Sequence, residues 1–567
     1  MITTVTGASH VASAKAAPTA RSGADGDDGS GGESGDNDDA IAAQIADCMG
    51  REDPVCLAEV VASLELASHG GVTTAWMAAW RDLLVGDYAA AAATLDRVAT
   101  SPLTPAPLAL RAAKERDLAR ATESRLRGFT SRDLAGGRAR VWFAPGPDEV
   151  LIEGLEEVLG RTLPVLEATF GPLGPSPIAI HIYRRAEDLA AVSGLTVDQI
   201  HTSGTIALCK YNRVMITSPA DLVFGYAWAD TVAHELVHYA VIKRGGGGVP
   251  VWLHEGLARA FQGAWRGERP DTLDPNEEDA LGRAHRKHHF IPFSRMSPTM
   301  AALPSQSDAQ LAFAEVHHAV AWLLRRSGGG EQANTPATAR AAVSLEDLQR
   351  AAGRLVLAFG EGLTESAVIE RLVGLSRARF SRAWRQDLQR VAAQSSRRDA
   401  GVGTHRTMRF RGASKEAAVF ETLGERPRQF VELGDRLMAL DRPLAASIEY
   451  RKALAGGAAR EPLLMSRLGR ALIALGKYAE ALTLVREGLA VSDEHAPLRL
   501  LEGRALVELG RHREALDALR RAGWINPFDP DVHLLAQRAW MALGENPKAE
   551  AAAARARMVS GAETPPR

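Results

Sequence analysis

The chain has 567 residues, of which 46% are hydrophobic and 24% charged, with a formal net charge of -2 at pH 7. It is too long for one hydrophobic core, so three or four structural units are expected, and its even charge gives no reason to expect nucleic acid as a partner. No stretch approaches the roughly 20 apolar residues that cross a bilayer, so no transmembrane segment is expected.

Residues 1–40 are small, polar and acidic, as in GADGDDGSGGESGDNDDA. They cannot bury enough apolar surface to offset the entropy of ordering, so a disordered tail is expected, and they lack the charged-then-apolar layout of a signal peptide. Cys48 and Cys56 are close enough to close a small loop, either as a disulfide or as two reduced, packed thiols, while Cys209 stands alone. Residues 41–127 read as helices with short breaks. Within them, Gly86-Asp87-Tyr88 followed by Ala91 looks like the turn between two tetratricopeptide helices, where Gly makes the tight turn and Ala allows close helix contact.

From residue 138 the pattern becomes that of an α+β unit, running to residue 392. Residues 139–144 and Ile178–Tyr183 are strand-like and flank the amphipathic segment 150–170. Residues 205–210 and Arg213–Thr217 form a further pair, with Tyr211 and Asn212 as the hairpin turn. A helix then runs from about residue 227 through Lys243, breaks at glycines 245–248 and gives way to a new helix after Pro250. Residues 312–326 and a segment ending at Trp384 are also helical, so strands come first and helices later. Residues 393–425 are rich in Arg, Ser and Gly without periodicity and read as a linker.

Residues 426–557 repeat. Leu440-Asp441, Leu475-Gly476, Leu509-Gly510 and Leu543-Gly544 fall 35, 34 and 34 residues apart, and Ala446, Ala481, Ala515 and Ala549 keep that spacing. Pro462, Pro497 and Pro530 recur with them. The period predicts tetratricopeptide helix pairs stacked into an all-α superhelix, because each pair leaves an apolar face that only a neighbour can cover.

The chemistry centres on Thr231-Val232-Ala233-His234-Glu235-Leu236-Val237-His238-Tyr239. On a helix, His234 and His238 stand one turn apart on one face, so both imidazoles reach one metal ion, and Glu235 beside the first points toward a water held there. This is the pattern of zinc hydrolysis, in which a carboxylate takes the proton of the attacking water. Zinc also needs a third protein ligand and an open position.

HELVH followed by PVWLHEGLA (Pro250 to Ala258) resembles the gluzincin zinc metallopeptidases, and most closely the peptidase-MA-like domains that are often joined to tetratricopeptide repeats. The resemblance implies an α+β zincin-like fold over roughly residues 138–390, with Zn2+ on His234, His238 and Glu255. It also implies Glu235 as general base and Trp252 packed beneath the second helix. Residues 311–324 and the Phe380–Trp384 pair echo later parts of that pattern. Two departures stand out. Phe313-Ala314-Glu315-Val316 replaces a usual Tyr-Ala-x-Ser, removing a hydroxyl from the cleft, and Arg259 stands where relatives place a carboxylate that orients a ligand His.

Three residues are candidates for those missing roles. His317 and His318 either supply an oxyanion donor or are an ordinary pair of helix histidines with one satisfied by solvent. Asp230 either supports a ligand His or simply favours the helix N-terminus. Arg213–Thr217 is read either as an edge strand that pairs with extended substrate or as an interior strand. The cluster of His285, His288 and His289 reads as a solvated basic surface.

The expected function is a zinc peptidase acting on a peptide or protein substrate, with repeats that bind a protein partner; the competing reading is an inactive peptidase-fold scaffold acting through those repeats. The compartment is left open, with the cell envelope or periplasm ahead of the cytoplasm.

Overall fold

A computed structural model describes residues 32–66, 71–328, 343–397, 408–410, 424–456 and 461–561. Most of the acidic tail expected over residues 1–40 lies outside them, but from Gly32 the chain is helical: α1 (Gly32–Gly50). It is followed by α2 (Pro54–Leu66), α3 (Val72–Val85), α4 (Tyr88–Thr100) and α5 (Ala106–Leu126). Cys48 and Cys56 are joined in a disulfide between α1 and α2. Between α3 and α4, Gly86 takes a left-handed φ of 89° and the Asp87 side chain accepts from the backbone N–H of Ala90, so the sharp reversal falls where the sequence places it. The indoles of Trp76 and Trp80 both donate to Glu115, tying α3 to α5.

The sheet starts earlier than the sequence suggests. β1 (Thr130–Leu134) pairs antiparallel with β2 (Ala139–Phe143), giving an unexpected first strand outside the 138–392 boundary. After α6 (Ile152–Phe170) come β3 (Ile178–Tyr183), α7 (Ala186–Ser193), α8 (Val197–Ser203), β4 (Ala207–Lys210) and β5 (Arg213–Thr217). The order is β1-β2-β3-β5-β4, with β2, β3 and β5 parallel and both outer strands antiparallel to their neighbours. Tyr211 and Asn212 both have φ near 58°, the conformation a two-residue hairpin needs. Arg213–Thr217, between β3 and β4, is therefore interior, and the edge on that side of the sheet is β4.

Alternation divides the sheet into two faces. Val141, Ile180, Val214 and Ile216 are fully buried in the main core. On the other face, Trp142, His181 and Arg213 look toward Tyr88 of α4 and Thr122 of α5.

Helices then predominate: α9 (Trp228–Gly245), α10 (Val251–Phe261), α11 (Pro275–Lys287), α12 (Gln306–Gly328), α13 (Leu345–Gly360), α14 (Glu365–Val373) and α15 (Arg377–Arg397). α9 is buried along nearly its whole length; only Lys243 and Arg244 reach partway to solvent. The last helix continues past Trp384 and past residue 393, into what reads as linker. Of that linker, residues 408–410 are described and are not free chain: the Val223 N–H donates to the Arg409 carbonyl, and Phe410 forms a β-bridge with Leu222.

The repeats follow as four helix pairs. They are α16 (Glu425–Ala439) with α17 (Pro443–Ala455), α18 (Pro462–Ala474) with α19 (Tyr478–Val491), α20 (Ala496–Glu508) with α21 (His512–Gly523), and α22 (Pro530–Ala542) with α23 (Asn546–Val559). The periodic glycines Gly476, Gly510 and Gly544 take φ between 70° and 76° at the turns, and Asp441 does the same job at 53°. Ala446, Ala481, Ala515 and Ala549 are buried where paired helices touch.

Both flanking modules grip α9. At its C-terminal end, the Arg51 guanidinium donates to the carbonyls of Lys243 and Gly360, and Lys243 Nζ donates to the Glu52 carbonyl at 2.7 Å. At its N-terminal end, the Trp228 indole donates to the Gly523 carbonyl at 2.8 Å and the Tyr226 N–H to the Ile525 carbonyl at 3.0 Å. Trp265 and Trp524 meet edge to face, 4.8 Å between ring centres.

Candidate metal centre

The helical period of α9 places His234 and His238 side by side, with ring centres 4.9 Å apart. After the glycine break the chain reverses, and α10 brings Glu255 against them. A carboxylate oxygen of Glu255 lies 3.5 Å from His234 Nε2 and 3.4 Å from His238 Nε2. These are ion-pair separations, beyond a good hydrogen bond. One atom from each of the three residues lies within 4.8 Å of the other two, close enough to hold a metal ion. Glu235 lies on the same helix, and all four side chains are 0% exposed. The close approach of α10 to α12 depends on Gly256, where a Cβ would stand 2.5 Å from a methyl of Val320 and 2.6 Å from the Val316 carbonyl oxygen.

The donor set fits a cation. Both histidine Nε2 atoms and both Glu255 oxygens are buried without a hydrogen-bond partner among the described residues. The other ring nitrogens are occupied: His234 Nδ1 lies 3.3 Å from Gln262 Oε1, and His238 Nδ1 lies 3.4 Å from His254 Nδ1. If each Nδ1 carries the proton, both Nε2 lone pairs face the carboxylate, which is the tautomer a metal requires. Burial lowers the imidazoles, His234 to about 4 against the raising influence of Glu255 and His238 to about 3, so both are neutral at physiological pH. Burial also raises Glu255. Two neutral imidazoles and a buried carboxylate lack positive charge, and that is what a cation would supply.

Around the cluster the structure reassigns several sequence candidates. Asp230 does not support His234. Its carboxylate accepts from the Trp265 indole at 2.9 Å and from Arg266 at 2.7 Å, and burial raises its pKa despite those contacts. His317 is turned away from the cluster, its Nδ1 2.8 Å from Glu277 and its Nε2 3.2 Å from the Pro270 carbonyl. His318 is likewise engaged: its Nδ1 accepts from the Trp384 indole at 3.1 Å and its Nε2 lies 3.2 Å from Asp387. Neither reaches the cluster as an oxyanion donor, and neither is solvated. Where the family pattern has Tyr, the Phe313 ring stands edge-on to His234 with centres 6.2 Å apart.

The residue that orients His234 is Gln262. Its Oε1 also accepts from Arg259 at 3.2 Å, and Arg259 is fixed in turn by Glu277 at 2.8 Å and Asp274 at 3.0 Å. Arg259 thus acts on the histidine through an amide. Burial would raise Glu277, but His317 and Arg259 outweigh it and hold the carboxyl down at about 2. Gln262 lies seven residues beyond Glu255, two turns along the same helix face, and that spacing was the available signal. Trp252 is buried, stacked on Phe293 at 4.6 Å, with Phe380 beyond it. A cavity of about 100 Å³ adjoins Gln262 and Phe313; Met408 from the former linker and Glu494 from the repeats also line it.

The Peptidase MA superfamily model matches residues 162–355, a span holding all four cluster residues, and a tetratricopeptide repeat model matches residues 472–539. Among solved structures, a thermophilic tetratricopeptide protein of Thermus thermophilus is 26% identical over 24% of this chain and 74% of its own, with a TM-score of 0.23. MamA of Desulfovibrio magneticus is 20% identical over 25% of this chain and 79% of its own, also with a TM-score of 0.23. No curated protein matches the chain. The chain therefore carries a Peptidase MA superfamily domain, followed by tetratricopeptide repeats.

Proposed function

We propose that the protein is a zinc-dependent peptidase whose repeats bind a partner or present substrate. The observation that carries this reading is the convergence of His234 Nε2, His238 Nε2 and Glu255, with both Nδ1 atoms already occupied. These three residues would hold Zn2+, which when bound supplies Lewis acidity toward water and the scissile carbonyl. The Glu235 carboxylate takes a proton from the attacking water and returns it to the departing amine. Gln262 and His254 hold the two imidazoles in one tautomer, so neither ring has to reorganise during turnover. The buried setting excludes bulk water and strengthens each of these contacts.

One observation favours the inactive scaffold instead: all four residues are fully buried, and the adjoining cavity of about 100 Å³ is smaller than a peptide segment needs. Glu235→Gln separates the readings. In an active peptidase the variant keeps its zinc, measured by elemental analysis, and loses about 100-fold or more of its hydrolysis of a peptide library. Stoichiometric zinc with no cleavage by the unaltered protein leaves the scaffold.

A further inference from the structure

On the far side of the sheet from α9, lined also by residues of α3, α4 and α5, lies a cavity of about 520 Å³. Its inner end holds Arg213, only 1% exposed, and His181; its rim holds the exposed Arg127, Arg140 and Glu123. Arg213 donates to the Tyr88 hydroxyl at 3.2 Å, to Thr122 Oγ1 at 3.3 Å and to Met215 Sδ at 3.5 Å. Every one of these partners is neutral. Its guanidinium also lies 5.0 Å from the Tyr88 ring centre and 5.4 Å from that of Tyr211. Among the described residues no carboxylate comes within ion-pair distance of it. Glu52, on the nearby α1–α2 turn, is spent on the Asn212 N–H, and Arg140 is paired with Asp133.

A guanidinium removed from water without a counter-ion is costly, and rings and hydroxyls offset only part of that cost. Its charge is felt nearby: burial, aided by this charge, holds His181 well below its ordinary value, leaving that ring neutral. A guanidinium has five N–H bonds in a planar fork, and the three contacts above leave two of them. Two parallel N–H bonds match the two oxygens of a carboxylate. The walls beside them, Leu84, Trp142 and Tyr211, are apolar, and the volume falls in the range of small-molecule sites.

We propose that this cavity binds a small organic acid, its carboxylate on Arg213 and its apolar body against Trp142. The site is separate from the metal cluster and does not depend on the peptidase reading, since its test reads binding alone. Phenylacetate titrated into the full-length protein by calorimetry is expected to bind at one site and raise the melting temperature. Its neutral isostere phenylacetamide is expected to bind at least about tenfold more weakly, as is phenylacetate to the Arg213→Lys protein, because an ammonium cannot form the fork. Should Arg213→Lys fold poorly, Arg127→Ala on the exposed rim is expected to weaken phenylacetate severalfold in a fully folded protein. Equal affinity for acid and amide would reduce the site to an apolar hole and overturn the proposal. So would binding of phenyl phosphate but not phenylacetate, or no saturable binding up to roughly 10 mM. An acetylated tripeptide ending in phenylalanine that bound at least about tenfold tighter than phenylacetate would give the site to a peptide terminus instead.

Discussion

Around the candidate metal cluster, individual side chains are held in place by their second contacts. Gln262 Oε1 accepts from both His234 and Arg259, so it holds the imidazole from one side while being held from the other. Gln262→Leu should lower zinc affinity about 10- to 100-fold, as measured by competition with a chelator, while Gln262→Glu, which keeps an acceptor, should restore most of it. A different buried group governs pH response. Glu315 accepts the Ile291 N–H at 2.9 Å and is raised by burial to about 8. A raised carboxyl favours the folded state most below the unfolded pKa of roughly 4.5, and that contribution is lost as pH rises toward 8. Melting curves should therefore show the natural protein losing stability from pH 5 to pH 8, with Glu315→Gln flattening that slope and gaining most at pH 8.

Elements place these residues, and their legibility in sequence varied for physical reasons. The placement of His234 and His238 on one helix face, with Glu235 beside them, could be read because a helix has one period and the motif fits it. Glu255 sits on a second helix, across a glycine break whose geometry no local pattern fixes, so only family likeness pointed to it. β1 is not legible in the sequence because Thr130–Leu134 is an edge strand with exposed polar residues and almost no apolar alternation. The partners of His317 and His318, Glu277 and Trp384, lie 40 and 66 residues away along the chain, so their engagement could not be seen in sequence. Gly256 shows how tightly element packing constrains the centre. Gly256→Ala should cost about 1–3 kcal/mol in thermal or denaturant unfolding, because the nearest obstacles include a backbone carbonyl that cannot rotate aside. It should also loosen zinc, since Glu255 is its chain neighbour.

The modules meet at the ends of one helix. The repeat turn around Gly523 to Ile525 binds the entry to α9, with Gly225 at φ 66° and its would-be Cβ 2.3 Å from the Ile525 carbonyl oxygen. The salt bridges of Arg555 with Glu153 and Arg520 with Glu157 span the same boundary at its exposed margin, where each is worth little. The Trp265–Trp524 contact is the better candidate for holding the two together. Trp524→Ala should weaken the boundary by about 1 kcal/mol beyond lost area, and calorimetry should then resolve separate melting of the repeats and the peptidase domain.

A metal helix held from both ends cannot keep its affairs local. If His234 and His238 hold an ion as proposed, a partner on the repeats that shifts the 523–525 turn would change their affinity for it by some factor, and the ion would change partner affinity by that same factor. Zinc supply would then act as a signal in its own right, selecting what the repeats hold.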